Sequence, residues 1–261
     1  MNATARGVSA AAPSWRAYLS MTGMELRLAT RRGENLLVTL GIPAVLLVFL
    51  ANVELVTAVG TATIDLLVPG ILALAVLSTG MVALGISTAF ERSSGVLKRL
   101  GGSPLPTWAL IGAKTTIVTA TVMVQVVLVV VIGWLLGWDP PIGIPETLAA
   151  AAPWLLLGTL ASAGIGLVLA GRLRAETVLA VANGLYVLAL IAGGVIVPLD
   201  RLPPIVAVPA SILPPALIAD LLRGAMVPGA SVMPVEAMAL LLWAVGLLAA
   251  AARTFRLADE R

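Results

Sequence analysis

Few side chains in this sequence could do covalent or acid–base chemistry, and the missing types decide most. There is no cysteine and no histidine, which excludes disulfides, thiol nucleophiles, haem attachment and zinc held by Cys or His. Ser78 and Ser162 have no base in view, and the acids lie toward the ends of apolar runs. A phosphate-binding loop needs Gly-x-x-x-x-Gly-Lys-Ser/Thr, with the lysine on the phosphates. The only lysines are Lys98 and Lys114, and the nearest approximation, Gly112-Ala113-Lys114-Thr115, lacks the glycine before lysine and enters an apolar run. The chain is therefore expected to hold no nucleotide, metal or other cofactor of its own. What remains is a handful of polar residues inside apolar stretches: Lys114, Gln125 and Asn183, with Glu176 and Glu236 near stretch ends.

The elements that position them belong to a membrane. The chain is 60% hydrophobic and 11% charged, with a mean hydropathy of +1.07, far from the composition of a soluble domain. A pI near 9.9 could suggest nucleic acid, but the basic residues form no single patch and aromatics are sparse, so no nucleic-acid partner is expected. The first apolar run begins near Leu36, too late and too long for a cleaved signal peptide. A bilayer core needs roughly 20 apolar residues per helix, and six runs qualify: 36–56, 66–90, 109–136, 147–171, 177–199 and 235–252. The expected fold is all-α and integral to the membrane, with residues 1–13 a disordered tail and 14–261 one transmembrane domain.

Six crossings put both termini on one side, and the charges of the connections say which. Basic residues occupy the N-terminal region (Arg6, Arg16, Arg27, Arg31, Arg32), the loop after the second run (Arg92, Lys98, Arg99), the loop after the fourth (Arg172, Arg174) and the tail (Arg253, Arg256, Arg261). These alternate with connections at 54–65 and 139–146 that carry acids and no base. The positive-inside rule places both termini and the basic loops in the cytoplasm of a multi-pass cell-membrane protein. Arg201 and Arg223 oppose this pattern, both in the last external connection.

Two connections are structured. Over 14–34, Trp15, Tyr18, Leu19, Thr22, Leu26 and Ala29 follow helical spacing on one face while Arg16, Arg27 and Arg31 fall on another. Such a helix either lies in the headgroup layer against membrane lipid or merely orients the first span. The stretch 200–234 is too apolar for a solvated loop, yet prolines at 203, 204, 209, 214 and 215 forbid one helix. Two short helices dipping into the outer leaflet fit both facts, with Gly224 and Gly229 turning the chain back. Inside the spans, Gly158, Ser162, Gly164, Gly166, Gly184, Gly193 and Gly194 read as close-packing positions. Lys114, one turn inside the third run, snorkels to the surface or meets a substrate. Gln125 and Asn183, the deepest polar residues, hydrogen-bond between helices or line a path through the bundle.

The stretch 91–108, ERSSGVLKRLGGSPLPTW, is the longest polar interruption of the middle spans. Val96, Leu97 and Leu100 present an apolar edge at helical spacing, Lys98 and Arg99 lie off it, Gly101 and Gly102 supply a stop, and Ser103-Pro104 reads as a fresh helix start. An ordinary positive-inside loop would have the same composition. The stretch is nonetheless similar to the loop between the second and third spans of type-2 ABC transporter membrane subunits, particularly bacterial drug-exporter permeases. The resemblance extends to the basic interfacial helix, the six spans and a proline-rich external stretch ending in Leu222-Arg223-Gly224.

That resemblance implies a permease working as a dimer with a second copy or a different chain, each attached to a cytoplasmic ABC ATPase that carries ATP and Mg. It implies a coupling helix over 91–100, with Val96, Leu97 and Leu100 in a groove of the ATPase and Glu91, Arg92, Lys98 and Arg99 in polar contacts around it. It makes the segment bearing Trp15, Arg16, Leu19, Arg27 and Arg31 a connecting helix; Gln125 and Asn183, by their depth alone, are the candidates for a cargo path. Export of a drug, antibiotic or lipid follows from the likeness and from the lack of a large external domain. The competing reading is an ion-coupled transporter needing no ATPase, for which no intramembrane carboxylate cluster is visible. On neither reading is the chain an enzyme by itself.

Overall fold

Long runs of Leu, Val, Ala and Ile must bond their own backbone where no water reaches it, and only a helix does this within one segment. The computed structural model, which describes residues 14–31, 33–52, 64–101, 106–140, 142–194 and 199–259, contains helices and no strand among them. The expected disordered tail, Arg32 and most of the 54–65 connection lie outside the described residues. The helices are α1 (Ser14–Arg31), α2 (Gly33–Asn52), α3 (Ile64–Ser93), α4 (Val96–Gly101), α5 (Thr107–Leu135), α6 (Ile144–Arg172), α7 (Ala175–Ala192), α8 (Pro204–Ala210), α9 (Pro214–Met226) and α10 (Pro234–Asp259).

Five of these, α3, α5, α6, α7 and the Pro234–Phe255 part of α10, are long and apolar enough to cross a membrane. The first expected span is represented by Leu37–Asn52, apolar but shorter; at 1.5 Å per residue it covers roughly 24 Å. The protein is all-α, integral and multi-pass.

α6 is the centre of the bundle, packed by α3, α9 and α10. Small residues allow this. Gly158 lies against Ile218 of α9, Gly164 against Leu247 of α10, and Gly166 against the backbone of Gly80, Met81 and Gly85 in α3. In α3 the segment Ser78–Ala83 is a π-helix, whose wider turn shifts the register of the half that follows. The packing role expected of the glycines in α7 fails at Gly184, while at Gly194 the side chain of Leu199 lies close. Gly184 has nothing within 4 Å of an added Cβ, while Gly193 caps the helix and Gly194, with φ +69, turns the chain. α7 instead turns Leu179, Leu185, Val187, Leu188 and Ile191 outward.

The proline-rich connection folds as expected of two short helices. α8 and α9 meet at 86°, with Pro204, Pro214 and Pro215 in first turns, where a missing N–H costs nothing. Leu217, Ile218, Leu221 and Leu222 bury α9, and the Trp243 indole of α10 donates to the Ile212 carbonyl at 2.8 Å. Arg223, which breaks the charge pattern, is 8% exposed and bonds Asp220 at 3.0 Å within its own helix. Gly229, with φ +76, makes the return turn, whereas Gly224 lies inside α9 against the Ser231 backbone.

Candidate functional site

The polar residues gather at the end of the bundle that carries α1 and α4. Ser94 and Gly95 end α3: the Ser94 N–H donates to Phe90 and the Gly95 N–H to Arg92, and Gly95 takes φ +77. That conformation suits glycine. The helix expected over 91–100 is thus two pieces. Glu91 and Arg92 belong to the last turn of α3, and only Val96–Gly101 forms the separate helix α4. α4 ends at Gly101, where the stop was expected, and the Ser-Ser-Gly turn before it adds a break that separates α4 from α3. α5 begins at Thr107 after Pro106 in an extended conformation; Ser103 and Pro104 lie outside the described residues.

Glu91 and Arg92 point into the membrane domain rather than away from it. The Arg92 guanidinium donates to the carbonyls of Gly171 and Leu173, at the end of α6. These are acceptors that a helix C-terminus leaves open. Glu91 accepts from Lys114 of α5 at 2.7 Å, and the same ammonium donates to Glu25 of α1 at 2.8 Å. Lys114 is 2% exposed, so it does not snorkel to water: two carboxylates replace water around it. In α4, Val96 and Arg99 are exposed, and Leu97 packs half-buried against the main core, away from the outward edge expected of it. The side chains of Lys98 and Leu100 lie outside the described residues.

α1 docks on α5 through a face one step from the one its periodicity suggested. Tyr18 stacks on Trp108 with ring centroids 6.1 Å apart and bonds the Thr116 hydroxyl at 2.8 Å. Met21 is buried, and Glu25 follows one turn on. Trp15, Leu19, Arg27 and Arg31 are exposed, and the Arg16 guanidinium lies 5.4 Å from the Trp15 ring centroid. Glu25 was not anticipated, although it is the single acid in an otherwise basic helix.

Gln125 and Asn183 separate cleanly. Gln125 is fully buried; its Oε1 accepts from the Thr79 hydroxyl at 3.0 Å and its Nε2 donates to the Thr39 carbonyl at 2.8 Å. The Thr39 carbonyl is the one Pro43, four residues on, cannot serve, because proline has no N–H. Gln125 thus joins α2, the π-segment of α3 and α5. Asn183 is exposed and donates to the Leu179 carbonyl of its own helix at 2.8 Å, with no bond to another helix among the described residues.

Two cavities adjoin these groups, and another lies elsewhere in the bundle. One of about 150 Å³ is lined by Glu25, Glu91, Lys114, Thr39, Thr79 and Thr121. A second of about 640 Å³ shares Thr39, Ser87 and Glu91 and runs to Ser94 and Val96. A third of about 520 Å³, almost wholly apolar, lies among α7 to α10 and is lined by Leu188, Ala189, Val206, Pro214, Trp243 and Leu247. Among the described residues no group of His, Cys, Asp and Glu could hold a metal ion.

A family model described as "ABC-2 type transporter" matches residues 16–227, from α1 through the end of α9. No curated protein matches the chain.

Proposed function

The chain belongs to the ABC-2 type transporter family and is a permease subunit of an ABC transporter; from that membership we propose that it exports a hydrophobic or amphiphilic cargo, a drug, antibiotic or lipid. ATP hydrolysed with Mg on a separate cytoplasmic ABC ATPase drives it, and a second permease, the same or a different chain, completes the pathway. Both termini lie in the cytoplasm of a cell-membrane protein. The observation that carries the reading is α4. It is a short helix set off from α3 by Gly95, it presents Val96 and Arg99 outward, and it follows a last turn fastened to the bundle by Glu91 and Arg92. A push on α4 reaches the spans through that turn. The apolar third cavity, beneath the bent pair α8 and α9, supports an apolar cargo.

The ion-coupled alternative needs carboxylates or a broken helix at the midplane. Glu25 and Glu91 sit at one end of the bundle and share a lysine.

Val96→Asp tests the docking. Val96 is 38% exposed and lines the open second cavity, so a carboxylate there can reach solvent, and insertion and monodisperse elution in mild detergent should match the wild type. The co-purifying ATPase should fall about tenfold or more, as for a residue near the centre of an interface. Undiminished ATPase with both Val96→Asp and Arg99→Glu would remove α4 from the interface. Leu97→Asp is a poorer test, since Leu97 also serves the core.

A further inference from the structure

The Lys114 triad is an uneconomical way to hold three helices together. Its ammonium is 2% exposed and its carboxylates 12% and 15%, and desolvating such charges offsets much of their attraction. Leucines at these positions would pack α1, α3 and α5 at least as firmly. What the triad adds is directional, discrete pairing: one donor group accepted by two helices at 2.8 and 2.7 Å. Its position matters as much. Glu91 is one turn before Gly95, where α4 departs, and its neighbour Arg92 is fixed to the end of α6. The last turn of α3 is therefore tied to α1 and α5 on one side and to α6 on the other, directly above the joint of α4.

We propose that Lys114 is the positioning residue of energy coupling: through Glu25 and Glu91 it makes α1, α3 and α5 respond as one body when α4 is displaced. The proposal rests on the reading that an ATPase drives α4. Lys114 touches neither nucleotide nor cargo in this role. Without it, two carboxylates face one another, α1 loosens, and displacement of α4 dissipates before it reaches the spans.

Lys114→Met is expected to assemble with the ATPase and hydrolyse ATP, while cargo moved per ATP falls about tenfold, within the usual range of coupling between sites. Lys114→Arg should restore the ratio. A merely structural lysine would change the amount of complex and leave the ratio untouched. A second readout needs no ATPase. Because the chain has no cysteine, nitroxides on Arg27→Cys in α1 and Ser93→Cys in α3 report one distance in the isolated chain. Pulsed dipolar spectroscopy should give a narrow distribution for the wild type and a broad, longer one for Lys114→Met. If Lys114→Met does not insert, Glu91→Gln, which keeps the Lys114–Glu25 pair, should show both effects in weaker form. An unchanged distribution, or an unchanged ratio of cargo to ATP, overturns the proposal. A wild-type chain that recruits no ATPase overturns the proposed function instead, and the spectroscopy still decides whether the triad holds α1 to α3.

Discussion

Gly166→Ala should abolish accumulation of the folded chain, while Gly184→Ala in the next helix leaves it unchanged. An alanine Cβ at 166 would lie 2.6 Å from the Gly80 carbonyl oxygen and 2.8 Å from that of Met81. Both obstacles are backbone, so no rotamer change relieves them. Both also belong to the π-segment of α3, in which Thr79, Gly80 and Met81 are buried. Overpacking where side chains can yield costs about 1–3 kcal/mol; with backbone on both sides the cost should exceed that. Glycine to alanine ordinarily favours a helix by about 1 kcal/mol, so a loss runs against intrinsic preference and isolates the packing. Gly184, with nothing within 4 Å, supplies the control. Thermal aggregation and elution profile in mild detergent measure both variants. Equal behaviour would mean that α3 and α6 do not cross at these residues.

The same comparison shows how far the sequence could be read. α3, α5 and α6 each overrun their apolar run by a few residues at one end or both, whereas α7 stops at Ala192, well short of the end expected at 199. Gly158, Gly164 and Gly166 read correctly as packing positions, since the central helix must be approached on several faces. Gly184 reads identically and packs against nothing, because one sequence does not reveal which helices lie at the periphery. Gly80 and Gly85 went unremarked: the π-segment re-registers α3 and leaves no mark in hydrophobic periodicity.

The polar site was less legible. Lys114 meets partners 89 and 23 residues away, and such pairing exists only once three helices are packed. A lysine one turn inside a span looks free to snorkel until the fold supplies carboxylates closer than water. The face of α1 was misjudged for a related reason: Tyr18, Met21 and Glu25 are selected by α5, whereas periodicity groups Trp15 and Leu19 with Tyr18. The break before α4 is also written in the sequence, since Ser93-Ser94-Gly95 is turn chemistry, while the Gly-Gly pair marks only its other end.

Gln125→Leu should destabilise the bundle by about 1–2 kcal/mol, and Pro43→Ala should restore much of the loss. Leucine fills nearly the same volume, so the cost is polar. The Thr79 hydroxyl, deprived of Gln125, can turn to a carbonyl of its own helix. The Thr39 carbonyl has no such recourse: its acceptance of an N–H from position 43 is blocked by proline, and its present donor is the Gln125 amide at 2.8 Å. An acceptor left unsatisfied when buried costs about 1–3 kcal/mol, and the Thr39 carbonyl, partly buried, falls with interhelical hydrogen bonds in membranes toward the lower part of that range. Alanine at 43 returns the missing N–H, so the i→i−4 bond closes and Thr39 no longer depends on α5. In a double-mutant cycle read by thermal unfolding in detergent, Gln125→Leu should cost clearly less in the Pro43→Ala background, with a coupling of about 0.5–2 kcal/mol. Equal costs in both backgrounds would show that Gln125 is held for Thr79 alone. Unequal costs mean that the first span has its helix break satisfied by the third, so that α2 and α5 cannot part without exposing a bare carbonyl to lipid. Any opening of the bundle must then occur on another face of α5, or must first break the bond between Gln125 and Thr39.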